Sequence, residues 1–325
     1  MTAPRERSVE VNGQVCRVWE KGRGEPLGYL AGFGGLPKWP PILDRLAESR
    51  RVIAPSLPGF PGGLGHNRLD SHLDWLLATH ELLTRCGLEG ADLVGVSVGG
   101  ALAADVVACW PGFARRLVLV GALGLTDAER PMFDVFTCNV KTLPGTLCAN
   151  PAAYREHTRS PQGDADIEWQ IVQTRAFEAA ARILWPLGDT RLARRLSRIA
   201  SPTLVLWGEA DRVVAPFYAQ RFAAGIAGKT RVQLVPGAGH LADLDAPDAV
   251  AQAVLRFVGA GAPAAGKPRT AKSRPAKPRS AKPSRAPRPK RAQARRVAPR
   301  VQPQAKRTVK RTAKHTAKRA AKRGR

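Results

Sequence analysis

The stretch Leu93–Leu102 reads LVGVSVGGAL and sets Ser97 among three glycines, where an apolar strand pattern gives way to an apolar helix pattern. Glycine lowers the stability of regular structure, so Gly95, Gly99 and Gly100 together mark a backbone that bends sharply or is approached closely. Such a bend lifts a hydroxyl clear of a sheet edge, facing the amides and dipole of the helix that follows. A serine oxygen alone is a weak nucleophile and needs a base that is itself held by a third group. Of six histidines, His66, His72 and His80 precede the serine, His157 lies in a helical stretch and His315 in a basic tail. Only His240, in VPGAGH, follows a strand pattern on a glycine-loosened loop. For the third group, Asp211 ends LWGEAD directly after another strand pattern, with Asp127 and Glu209 as competitors. In chain order these candidates run Ser97, Asp211, His240.

The elements needed to position these residues are legible in outline. SVEVNGQVCRVWE reads as a hairpin about Asn12-Gly13. Short apolar runs follow at Leu27–Ala31, Val52–Ala54, Asp92–Val96, Leu117–Gly121, Thr203–Trp207 and Val232–Val235. Helical spacing separates most of them, at Leu69–Cys86, Ala101–Trp110 and Ala249–Val258. This alternation predicts an α/β fold with a mostly parallel sheet flanked by helices, whose ligands bind at the carboxyl ends of the strands. Residues 123–199 interrupt the rhythm with helix-like pieces such as Ile167–Leu184, too long for a loop. They predict a helical cap above residues 1–122 and 200–260; a structural subdomain with no role at the site is the alternative.

Charge divides the chain again. The net charge is +26, yet 24 of the 52 bases and none of the 26 acids fall in residues 261–325. That tail is rich in Lys, Arg, Ala and Pro and contains no aromatic residue, so it cannot bury a core and is expected to be disordered. Lys267, Lys272, Lys277 and Lys282 recur every five residues, and Lys306, Lys310, Lys314, Lys318 and Lys322 every four. Sequence-independent binding of DNA, RNA or another polyanion through counterion release is the expected role, against a merely solubilising tail. The tail resembles the lysine- and alanine-rich tails of linker-histone type. Five cysteines (Cys16, Cys86, Cys109, Cys138 and Cys148) without C-x-x-C spacing predict free thiols. The N-terminus lacks the apolar core of a signal peptide and no run of ~18 apolar residues occurs, so a cytoplasmic protein without a transmembrane segment is expected.

The motifs GVSVGG, LWGEADRVVAP and PGAGHLADLDAPDAV, with ILWPLGDTRLARRLSRI before the second, carry a resemblance. Residues 8–258 resemble an α/β-hydrolase fold domain of the lid-bearing esterase and C–C hydrolase type. The resemblance implies an oxyanion hole from the amides of Val98 and Phe33, the latter in LAGFGG. Relatives commonly carry His where this chain has Ala31, and Asp where it has Ser56. Dehalogenases and epoxide hydrolases of this fold use a carboxylate nucleophile. Ser97 instead implies attack on a carbonyl of a small acyl substrate, without metal or cofactor. An ester and a β-diketone-like C–C bond remain alternatives, as does a polyanion-binding protein whose hydrolase domain is vestigial. Phe133, Phe136, Trp169, Phe177 and Trp185 could line an apolar acyl pocket or form the packing core of the cap.

Overall fold

A computed structural model describes residues 3–163, 166–184 and 189–259; Trp185 and the basic tail 261–325 lie outside the described residues. The Asn12-Gly13 pair adopts positive φ at both positions, 50° and 71°, the geometry that matches strand twist in a two-residue hairpin. It joins β1 (Arg5–Val11) to β2 (Gln14–Lys21). The chain continues through β3 (Pro26–Leu30), α1 (Pro41–Ala47), β4 (Arg51–Pro55), α2 (His72–Arg85), β5 (Ala91–Val96), α3 (Ser97–Cys109) and β6 (Ala114–Val120). Helices α4 (Leu143–Leu147), α5 (Pro151–Thr158) and α6 (Ile167–Leu184) then fill the insertion. The chain returns through β7 (Thr203–Gly208), α7 (Phe217–Gly225), β8 (Thr230–Val235), α8 (Ala242–Asp245) and α9 (Pro247–Gly259).

The eight strands form one sheet in the order β1-β2-β4-β3-β5-β6-β7-β8. Pairing is antiparallel from β1 to β4 and parallel from there on. Helix α1 packs on α9 and α2 on α3. Central strands β5 and β7 are buried along their whole length, which is why they read as continuous apolar runs. Two helix starts differ from the spacing. Ser71 and Asp74 form a reciprocal capping box, so α2 begins at His72 and not at Leu69. Helix α3 begins four residues before Ala101, because the glycine run itself is helical.

Register decides where the chemistry gathers. Leu30 pairs with Gly95, Val96 with Val120, Val120 with Leu206 and Gly208 with Val235. The segments leaving β3, β5, β6, β7 and β8 therefore emerge along one edge, and the insertion rises from it after β6. The insertion is seated on the core at several points. The His157 ring on α5 donates to the Gly35 carbonyl at 3.2 Å, and the amide of Leu241 donates to Leu147 at 2.9 Å. Asp245 accepts from the amides of Ala149 and Asn150 at 2.8 and 2.9 Å. On the return, Arg195 bonds the buried Asp105 of α3 at 2.5 Å, an acid that the core residue His72 of α2 also bonds, at 2.7 Å.

Two expected outcomes follow from this packing. A Cβ on Gly99 would drive into the backbone carbonyls of Leu30 and Ala31, which cannot give way. Gly99→Ala should lower stability by about 3 kcal/mol, read as a lower urea midpoint at unchanged m-value. Burial, with a smaller contribution from Lys38, pushes the His157 imidazole down to about 4. Because the folded value lies below the unfolded one, its stability contribution is complete above ~6.5 and is lost as pH falls toward 4. The loss is on the order of 3 kcal/mol, and His157→Gln should flatten that part of the profile in urea titrations between pH 7.5 and 4.5.

Candidate active site

Ser97 takes a φ of 51°, in the left-handed region that side chains with a Cβ rarely adopt. The strain persists because surrounding packing leaves no other course. A Cβ at Gly95 would meet the Gly99 carbonyl and Ala103, and one at Gly100 would meet Ala122. The three glycines thus let α3 fold back directly onto the ends of β3, β5 and β6. Ser97 is held at the first turn of α3, where backbone amides have no carbonyl one turn earlier.

His240 reaches this serine from the loop after β8. That loop is fixed by Asp245, which accepts from the Gly239 amide at 2.7 Å, and by the Ala210 amide bonded to Ala238 at 2.9 Å. The His240 Nε2 lies 2.8 Å from the Ser97 Oγ, and its Nδ1 lies 3.0 Å from Asp211 Oδ2. A carboxylate only accepts, so Nδ1 carries the proton and Nε2 is left to accept from the serine hydroxyl. The other Asp211 oxygen accepts from the amides of Val213 and Val214 at 2.8 and 2.9 Å. Ser97 and His240 are 0% exposed and Asp211 7%, so all three side chains are buried.

The competing groups lie elsewhere. Asp127 accepts from the amides of Glu129 and Arg130 and pairs with Arg221 at 2.7 Å. Glu209 is exposed. His66 pairs with Glu178 and His80 stacks on Trp110.

Loop 31–36 sits against Ser97: a Cβ on Gly32 would come within 3.1 Å of Ser97 Cβ. The next residue is Phe33, and Val98 follows Ser97 in the first turn of α3. The Phe33 ring meets Phe136 at 5.8 Å and Phe177 at 5.3 Å, and these two meet each other at 5.1 Å. Phe136 and Phe177 therefore pack on the Phe33 side chain of loop 31–36, whereas Phe133 is 46% exposed. Trp169 lines a separate cavity of about 610 Å³ within the insertion, together with Leu143, Tyr154, Arg155 and Gln173.

Several residues near the site are given no role there by the sequence reading. Asp243, three positions after His240, is buried and accepts from the Tyr29 hydroxyl at 2.6 Å. Burial raises both of their pKa values. Arg17, Tyr154 and His157 surround loop 31–36. The signal that could have found them is the loop itself, which is glycine-rich and has no polar side chain to hold its own carbonyls.

Among the described residues, no His, Cys, Asp and Glu cluster has metal-binding geometry and no helix is long and apolar enough to cross a membrane. The chain is 28% identical over 226 residues to the 2-hydroxy-6-oxo-2,4-heptadienoate hydrolase of Pseudomonas putida, covering 64% of this chain and 80% of that one. It is 29% identical over 270 residues to the dihydrolipoyllysine-residue acetyltransferase component of the Pseudomonas putida acetoin cleaving system, covering 78% and 70%. The structure of an esterase from Rhodococcus sp. ECU1013 superposes with a TM-score of 0.59 at 21% identity, covering 80% of this chain and 99% of that one. Residues 29–253 match the alpha/beta hydrolase family, and the chain belongs to it.

Proposed function

We propose that the chain is a serine hydrolase that cleaves a carboxylic ester or related carbonyl substrate through an acyl-enzyme. The observation that carries this reading is the unbroken relay from the Ser97 hydroxyl through His240 to Asp211, at 2.8 and 3.0 Å. In this mechanism His240 Nε2 takes the Ser97 proton as the oxygen attacks the carbonyl carbon, and returns it to the leaving group. Asp211 holds the imidazole in the tautomer that makes Nε2 the base, and stabilises the imidazolium once it forms. The developing oxyanion is received by the amides of Val98 and Phe33, each supplying roughly 3–4 kcal/mol. A water then repeats the cycle on the acyl-enzyme. Since Ser97 is fully buried, substrate entry requires a neighbouring segment to shift; in this reading residues 123–199 are the cap that moves over a core of 1–122 and 200–260.

Cleavage of a carbon–carbon bond is the second reading. It is favoured by the likeness to the Pseudomonas putida heptadienoate hydrolase. The two differ in the leaving group, an alkoxide in one and a carbanion in the other, and share every step up to it. The tail 261–325 adds a separable function in this reading, polyanion binding by its 24 bases.

A fluorophosphonate probe should label the full chain, and Ser97→Ala should abolish labelling; no labelling of the unaltered chain, together with tight DNA retention, overturns the enzyme reading. Asp211→Asn should lower kcat by ~10⁴-fold without unfolding the protein, measured on p-nitrophenyl esters of graded chain length beside a ring-cleavage dienoate. For the tail, the slope of log affinity for duplex DNA against log salt should be about −5 if ~6 phosphates are met. Deleting residues 261–325 should abolish binding and leave ester turnover intact.

A further inference from the structure

The loop Ala31-Gly32-Phe33-Gly34-Gly35-Leu36 is buried throughout, contains no polar side chain and has φ values of 88° and 68° at Gly34 and Gly35. Glycines that flexible are costly to hold in one conformation. Within the loop, among the described residues, one backbone bond runs from the Gly35 amide to the Gly32 carbonyl, at 3.0 Å. The remaining fixed points come from two side chains outside it.

Arg17, on β2, donates to the carbonyl of Leu36 at 2.5 Å and to that of Pro61 at 3.0 Å, with its guanidinium 3.6 Å above the Trp19 ring. His157, on α5, is 7% exposed and donates from Nε2 to the Gly35 carbonyl at 3.2 Å. One turn earlier on α5, Tyr154 lies over Gly34, its hydroxyl 3.5 Å from where a Cβ would stand. The two anchors differ in kind. Arg17 belongs to the sheet and stays with the core, whereas His157 belongs to the insertion. The Phe33 ring also packs only on insertion residues Phe136 and Phe177 among its ring contacts in the described residues. Shifting the insertion to admit substrate thus withdraws a hydrogen bond and a ring packing from the same six-residue loop.

We infer that His157 and Arg17 are positioning residues for the Phe33 amide, and that α5 completes the oxyanion hole only when the insertion is seated on the core. This rests on the serine-hydrolase reading for its consequence in catalysis, but the loop-ordering part stands on the geometry alone. A loop displaced by about 1 Å from the oxyanion can cost roughly 10²-fold in rate, so the coupling makes the site competent in the closed state and weak in the open one.

The test uses the full chain with His157→Phe, which removes the donor while keeping a flat ring, and His157→Gln, which retains an N–H donor. His157→Phe should lower kcat and the fluorophosphonate labelling rate by roughly 10²-fold with little change in KM, and His157→Gln should restore most of the loss. Amide hydrogen exchange over residues 32–36 should accelerate in His157→Phe and not in His157→Gln. Unchanged exchange in His157→Phe overturns the inference whatever the activity. Equal losses in both variants, with parallel drops in Tm, overturn it too, by showing that His157 serves packing alone. If the unaltered chain shows no Ser97-dependent labelling, the hydrolase reading fails, and the exchange result still decides the loop coupling.

Discussion

At the junction of β5 and α3 the chain passes from extended to helical geometry across one residue, and the inside of that bend has no room for a side chain. Ser97 itself stands at positive φ, while Gly95, Gly99 and Gly100 occupy places where a Cβ would strike carbonyls or neighbouring backbone. This crowding is what presses α3 against the ends of β3 and β6. It therefore also sets loop 31–36 beside the serine, and Gly121 beneath the His240 ring and Asp211. Relaxing the bend would move every other group of the site.

The second constraint is polar. Three side chains that hydrogen-bond strongly are buried together, and a buried polar group without partners costs free energy. Asp211 meets this by accepting two amides and one imidazole N–H, leaving its position little freedom. The same bonds set the imidazole tautomer, so satisfying the buried acid and orienting the His240 ring are one arrangement. Further out, Asp245 ties the Gly239 amide to those of Ala149 and Asn150, joining the His240 loop to the insertion.

The insertion touches the candidate site at loop 31–36 and at Ser97, whose carbonyl accepts from the Leu123 amide at 3.2 Å. Its aromatic residues enclose the Phe33 ring, and its buried histidine takes the Gly35 carbonyl. The insertion and the core thus share buried hydrogen bonds, which low dielectric strengthens.

The amino-acid sequence by itself determined what depends on neighbours in the chain. The Asn12-Gly13 hairpin, the glycine-flanked Ser97, the 3.6-residue period of α6 and the alternation of strands and helices are all local properties of backbone and side chain. Helices α1 and α7 escaped that reading: α1 has only seven residues, and α7 gains its stability from packing such as Phe222 against Trp207. On paper Asp211 is preferred as the acid for its place at a strand end, with Asp127 its main competitor and Glu209 a weaker one. Only the folded chain gives Asp127 to Arg221 and sets Asp211 3.0 Å from His240. His157 looks like any helix-borne histidine until the fold carries it to a carbonyl 122 residues away. Hydrophobic period and turn chemistry act over a few residues, whereas a hydrogen bond between distant loops exists only after whole elements have packed; tertiary structure alone decides such pairs.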